Sequence, residues 1–176
     1  MYFPVLFFFL YFCTAKKRWN IMLRNRKNSE QPILDRARNY CAQAEQCESG
    51  VRQKLVSWGA TPSETEEVIG RLRDEGYIDD ARYARVYCES KILHQHWGRQ
   101  KVLYQLRAKR LPKEAINDAL AAIDDETYNT IIQAEADKKM RTLGELEHEA
   151  ARLRLFSFLA SRGFTPSEVN EALKPY

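Results

Sequence analysis

Thr61-Pro62-Ser63-Glu64 returns as Thr165-Pro166-Ser167-Glu168, and the residues around these two copies decide the fold. In each copy the threonine hydroxyl can accept from the free backbone amide three residues on. The proline suits the first helical position, and the glutamate can reach back to the threonine amide. This is a capping box, specific for a helix start. Two residues upstream stand Gly59 and Gly163, which can take the left-handed conformation that ends a helix. Further upstream, Val51 and Leu55, or Leu155 and Leu159, are four apart, on one apolar face of a helix. Downstream, Thr65 and Ile69, or Val169 and Leu173, repeat that spacing. Each copy therefore reads as helix, glycine stop, capped helix.

A third copy lies between them. Val102 and Leu106 match the first pair of apolar positions, Arg110 stands where the glycine would be, and Pro112 opens a helix carrying Ile116 and Leu120. A period of about fifty residues predicts a helical repeat array, not one mixed core. A second shared string, Ile78-Asp79-Asp80-Ala81-Arg82-Tyr83 against Ile123-Asp124-Asp125-Glu126-Thr127-Tyr128, marks where each new copy opens with a further helix. Asp79 or Asp80 can cap that helix, its first-turn carboxylates oppose the positive end of the dipole, and Tyr83 and Tyr128 fall on the buried side. The expected fold is all-α: three tandem three-helix repeats, over 32–78, 79–123 and 124–176, forming an elongated, curved array. No useful strand alternation appears. Small three-helix units are expected to dock on their neighbours for stability.

Residues 1–31 stand apart. Tyr2 to Cys13 are almost wholly apolar and aromatic, but a run of about a dozen is short of the roughly twenty that a spanning helix needs. Lys16, Lys17 and Arg18 follow the apolar run instead of preceding it, which argues against a cleaved signal peptide. Three readings stand open: a membrane-touching segment, a disordered appendage, or translated upstream sequence with the natural start at Met22. The last is preferred, and no stable membrane association is expected. Cys13, Cys41, Cys47 and Cys88 form no Cys-x-x-Cys pair, and His94, His96 and His148 complete no ligand spacing. The reading is no structural metal, no cofactor, free thiols in place of a Cys41–Cys47 disulfide, and a reducing, cytoplasmic compartment.

The net charge of +4 falls to +1 without Lys16, Lys17 and Arg18, so net charge alone announces no nucleic-acid binder. Its distribution is more informative. From Lys91 to Lys113 run Arg99, Lys101, Arg107, Lys109 and Arg110 with no acid among them, and acids dominate from Glu114 through Glu149. The middle copy is thus an amphipathic helix with a basic outer face, suited to phosphates or an acidic protein groove. A solvated surface face is the plainer explanation for such a run. Trp97 and Tyr104 favour contact, since aromatic rings among cations anchor interfaces or stack on bases. Trp97 beside Gly98, like Trp58 beside Gly59, can equally plug a gap in the packing.

Gly76-Tyr77-Ile78-Asp79-Asp80-Ala81-Arg82-Tyr83-Ala84, then Gly98-Arg99-Gln100-Lys101-Val102, then Phe158-Leu159-Ala160-Ser161-Arg162-Gly163-Phe164 resemble the RecX family in order and spacing, from about Ile33 to Leu173. The resemblance implies a three-unit, all-helical modulator of the bacterial RecA recombinase. Such a protein lies along the groove of the RecA filament on DNA and damps strand exchange, ATP hydrolysis and coprotease activity, within recombinational repair and the SOS response. Two departures stand out. Arg110 occupies a position commonly held by glycine, so that helix is expected to end differently, and the leader before Met22 has no counterpart.

The expected contact residues are Arg82, Arg85, Lys91, Arg99, Lys101, Arg107, Lys109 and Arg110, chosen for charge and for placement beside the repeat motif. Arg82 could instead pair with a nearby acid such as Asp79. The chain is expected to act as a monomer on the RecA filament, with at most weak contact to DNA. The alternative is a stand-alone DNA-binding helical protein, disfavoured because the positive charge is confined to one unit. Catalysis fares worst: there is no phosphate loop, no nucleophile signature and no metal cluster. The adjacent aspartates point in different directions and already serve as caps.

Overall fold

The computed structural model describes residues 32–144 and 147–175. Among them are nine α-helices and no strand: α1 (32–43), α2 (Glu48–Ser57), α3 (Pro62–Asp74), α4 (Asp80–Glu89), α5 (Arg99–Ala108), α6 (Lys113–Ala121), α7 (Asp125–Leu143), α8 (His148–Arg162) and α9 (Pro166–Ala172). A π-helical turn, Ser90–His94, continues α4. The expectations for residues 1–31 lie outside the described residues. No described helix is long and apolar enough to cross a membrane.

The helix starts follow from the caps read in the sequence. Thr61 Oγ1 accepts from the Glu64 amide at 3.3 Å while Glu64 Oε2 accepts from the Thr61 amide at 2.7 Å. Thr165 and Glu168 repeat the pair at the same two distances. Asp79 Oδ1 accepts from the amides of Ala81 and Arg82, both at 2.9 Å, and Asp124 Oδ1 from that of Thr127 at 2.7 Å. Each bond satisfies an amide that the first turn of a helix leaves without a partner.

The helix ends repeat more closely than the sequence does. At Gly59, Arg110 and Gly163 the residue's amide donates to the carbonyl three back, that of Val56, Arg107 or Ala160. The following amide, of Ala60, Leu111 or Phe164, reaches five back to Leu55, Leu106 or Leu159. This double bond pattern is a Schellman motif, which requires a left-handed residue at its turn. Gly59 and Gly163 have φ of 87° and 93°, and Arg110 adopts the same region at 60°. The expectation that α5 ends differently is therefore corrected. The hydrogen-bond pair, and the burial of Leu111 in the same core as Leu106, impose the turn on a side chain that carries the strain. The three aligned leucines are each fully buried at 0% exposure, because each is the apolar anchor of its own helix end.

The described residues form two compact units. The first, 32–44 with 51–78, packs Leu34, Ala37, Val51, Leu55, Ile69 and Leu72 into one core. Trp58 meets Tyr40 edge-on at 6.0 Å there, and Arg38 Nε donates to Glu75 Oε2 at 2.7 Å. The second, 45–50 with 79–175, centres on Ala84, Val102, Leu106, Tyr128, Leu155 and Leu159. Tyr128 is buried, as its place in the repeat predicts, whereas Tyr83 is half-buried. Cys41, Cys47 and Cys88 are buried and free of disulfides. Burial pushes the Cys88 thiol up to about 11, so it stays protonated and packs as a small apolar group.

Candidate functional site

The basic stretch folds into the π-turn, α5 and the turn after it, and the fold separates its charges into two sets. Arg99 faces inward. Its backbone amide donates to the Tyr128 hydroxyl at 2.8 Å, and its guanidinium lies 4.2 Å above the Tyr128 ring. The same group donates to the Ile123 carbonyl at 2.6 Å and to Asp125 at 2.7 Å. Burial pushes the Tyr128 hydroxyl up to about 12, so it remains a neutral donor and acceptor. Arg99 thus ties the start of α5 to the start of α7. Arg82 is engaged as well: it pairs with Glu45 at 2.9 Å, and Asp79, the partner considered from the sequence, is occupied as the cap of α4. The Glu45 carboxylate raises the Arg82 guanidinium above its ordinary value.

The remaining residues point to the surface. Arg85, Arg107 and Arg110 are exposed, and Tyr104, on the outer face of α5 one turn before Arg107, is 71% exposed. Lys91, Lys101 and Lys109 are half-buried, each with its ammonium group over an aromatic ring. Such cation–π contacts hold each ammonium beside the ring that it covers. The structure therefore gathers Lys91, Lys101, Arg107, Lys109 and Arg110 on or beside α5, and places Arg99 and Arg82 in internal ion pairs.

A junction that the sequence reading missed holds this basic element in place. The end of α8 meets the start of α5 backbone to backbone: the Gly98 amide donates to the Arg162 carbonyl at 2.9 Å, and the Gln100 amide to the Gly163 carbonyl at 3.2 Å. Carbonyls left over at one helix end thus satisfy amides left over at another. A Cβ on Gly98 would lie 2.0 Å from the Gly163 oxygen, and one on Gly163 would lie 2.3 Å from the Lys101 Cβ, so both positions need glycine for the close approach. Beneath the crossing Glu135 is 3% exposed. It contacts His96 Nδ1 at 2.8 Å and Arg162 at 2.8 Å, and Arg162 also donates to the Gln95 carbonyl at 3.0 Å. Burial raises the Glu135 carboxyl, but the His96 contact and the Arg162 charge outweigh it and hold the group below its ordinary value. One signal was available: Tyr128, Ile132 and Glu135 share one face of α7, and an acid on that buried face needs a cationic partner.

Among the described residues no group of histidine, cysteine or acidic side chains could hold a metal ion. The adjacent acids take different duties, Asp79 as the cap of α4 and Asp80 as acceptor of the Glu48 amide at 2.9 Å. What the site offers is a basic, partly aromatic surface on a rigid helix, an arrangement for contact.

Comparison with known proteins agrees with this geometry. A family model described as RecX, second three-helix domain, matches residues 79–120, and one described as RecX, third three-helix domain, matches residues 126–173. The chain is similar to the regulatory protein RecX of Amycolatopsis mediterranei, at 26% identity over 130 residues, covering 72% of this chain and 74% of that one. It is also similar to the regulatory protein RecX of Clostridium acetobutylicum, at 29% identity over 143 residues, covering 79% of this chain and 66% of that one. A crystal structure of regulatory protein RecX superposes with a TM-score of 0.81 at 23% identity, over 90% of this chain and 78% of that one.

Proposed function

The chain belongs to the RecX family of regulatory proteins, and on that premise we propose that it docks along the RecA recombinase filament on DNA and restrains strand exchange, ATP hydrolysis and coprotease activity. In this reading the chain acts as a monomer, and its repeats over 32–78, 79–123 and 124–176 each contact the filament. The middle repeat meets acidic protein surface or DNA phosphate. By bridging neighbouring protomers the chain slows filament cycling.

The observation that carries the proposal is the sorting of charge around α5. Arg99 and Arg82 are committed to internal pairs, whereas Arg85, Arg107 and Arg110 are exposed. Exposed cations on a fixed helix steer and orient an acidic partner at little conformational cost. The test is charge reversal at Arg107 and Arg110 together, assayed as inhibition of the recombinase's DNA-dependent ATP hydrolysis. The proposal expects the folded variant to inhibit at least about tenfold less well, as loss of two rim charges allows. Unchanged inhibition would remove this surface from the mechanism. Arg99 is unsuited to that test, because reversing it breaks the contact with Asp125 and Tyr128.

A further inference from the structure

The basic stretch contains a second arrangement that charge sorting does not use. Tyr83 and Tyr87 stack with ring centroids 5.8 Å apart and planes 27° apart. Lys109 Nζ lies 5.6 Å from the Tyr83 ring centre, and Lys91 Nζ lies 5.4 Å from that of Tyr87 and 5.1 Å from that of Trp97. Lys101 Nζ covers Trp97 at 4.4 Å. Ammonium groups and rings thus form one chain of successive contacts: Lys109, Tyr83, Tyr87, Lys91, Trp97, Lys101. We propose that this line is a stacking strip for single-stranded nucleic acid, bound without regard to sequence.

Three observations carry it. The rings are half-buried and packed against the core of their unit, so the platform is already ordered before a ligand arrives. Every cation on it is a lysine, a mobile point charge that can leave a ring face for a phosphate and so free the ring for a base. The charge is complementary: residues 91–113 contain no acid. Glu89 is the nearest acid in sequence to Tyr87, and it stands off the line that Tyr83, Tyr87 and Lys91 share at four-residue spacing. Rings read no base edges, so recognition here depends on exposed base faces, which single strands present and duplexes do not.

The test uses the full chain and no recombinase, so its failure would leave the filament proposal standing, and failure of the filament assay would leave this one standing. Trp19→Phe and Trp58→Phe make Trp97 the reporter of stacking. A short labelled oligothymidylate is titrated by anisotropy and by Trp97 quenching, beside an abasic strand of the same length, a duplex and polyglutamate. The strip predicts quenching by oligothymidylate and affinity at least about tenfold weaker for the abasic strand, as loss of stacked bases implies. It also predicts a salt slope of about −2 for three ammonium–phosphate contacts, falling to about −0.7 when Lys91→Gln and Lys101→Gln are combined in a chain of unchanged helicity. Equal binding of the abasic strand, the duplex or polyglutamate would overturn it, as would absent quenching or an unaltered slope.

Discussion

Arg110 holds a backbone conformation that only glycine takes without cost, at φ 60° and fully in the surface layer. Replacing it with glycine relieves left-handed strain of about 1 kcal/mol, partly offset by the freer unfolded chain. The expected outcome is a modestly higher midpoint in urea unfolding with an unchanged slope. A lower midpoint would mean that the Arg110 side chain contributes more than its strain costs. Glu135 presents the opposite case, a single charge on which three segments converge. Its carboxyl is held below the ordinary value by His96 and Arg162 against the effect of burial, so its contribution is present above pH 4.5, its ordinary value, and is lost as pH falls through the lower folded value. Glu135→Gln should then cost about 2 kcal/mol at neutral pH, by weakening a buried ion pair, and far less near pH 3. Urea unfolding of both chains at the two pH values reads the difference directly, and a gap that does not narrow in acid contradicts the assignment. Gly98→Ala, with its Cβ driven into the Gly163 carbonyl, should destabilise by about 3 kcal/mol or prevent folding, visible as loss of the cooperative thermal transition.

At the scale of elements, the helix starts and stops were legible in the sequence because their chemistry is local. Thr61 with Glu64, Thr165 with Glu168, Asp79 and Asp124 all bond within three residues of themselves, and a pattern of that reach can be read from a linear string. The same is true of the leucines at 55, 106 and 159, whose burial follows from a spacing of four. What escaped the reading depends on residues far apart. Gly163 announces itself as a helix stop, but the need for glycine at position 98 arises only from its close approach to the Gly163 carbonyl. Glu135 makes sense only beside Arg162, and the inward turn of Arg99 only beside Tyr128. The π-turn at Ser90–His94 also gave no signal, since its residues differ little from those of a helix that continues. The two capping boxes lend themselves to a matched experiment. Thr61→Ala and Thr165→Ala should each cost about 1 kcal/mol in urea unfolding, since the cap geometry is the same at both sites. A large loss at one position and none at the other would show that the repeat in sequence is not a repeat in energetics.

For the whole molecule, the family places the chain among regulators, and the surface that α5 presents is consistent with regulation by contact. Asp79 and Asp124 serve as helix caps, Cys41, Cys47 and Cys88 pack in the cores, and the buried Glu135 ties a helix junction. On and just after α5, Arg107 and Arg110 turn positive charge outward, which is complementary to phosphate or to acidic protein surface. Such a contact should weaken steeply as salt rises, because exposed charges are screened within about 8 Å at physiological ionic strength. The most direct measurement is cosedimentation of the purified chain with recombinase filaments assembled on single-stranded DNA, with ATP hydrolysis followed in the same samples. The account predicts that the chain pellets with the filaments and that hydrolysis slows in proportion to the amount bound. A chain that stays in the supernatant at low salt while hydrolysis proceeds unchanged would contradict it.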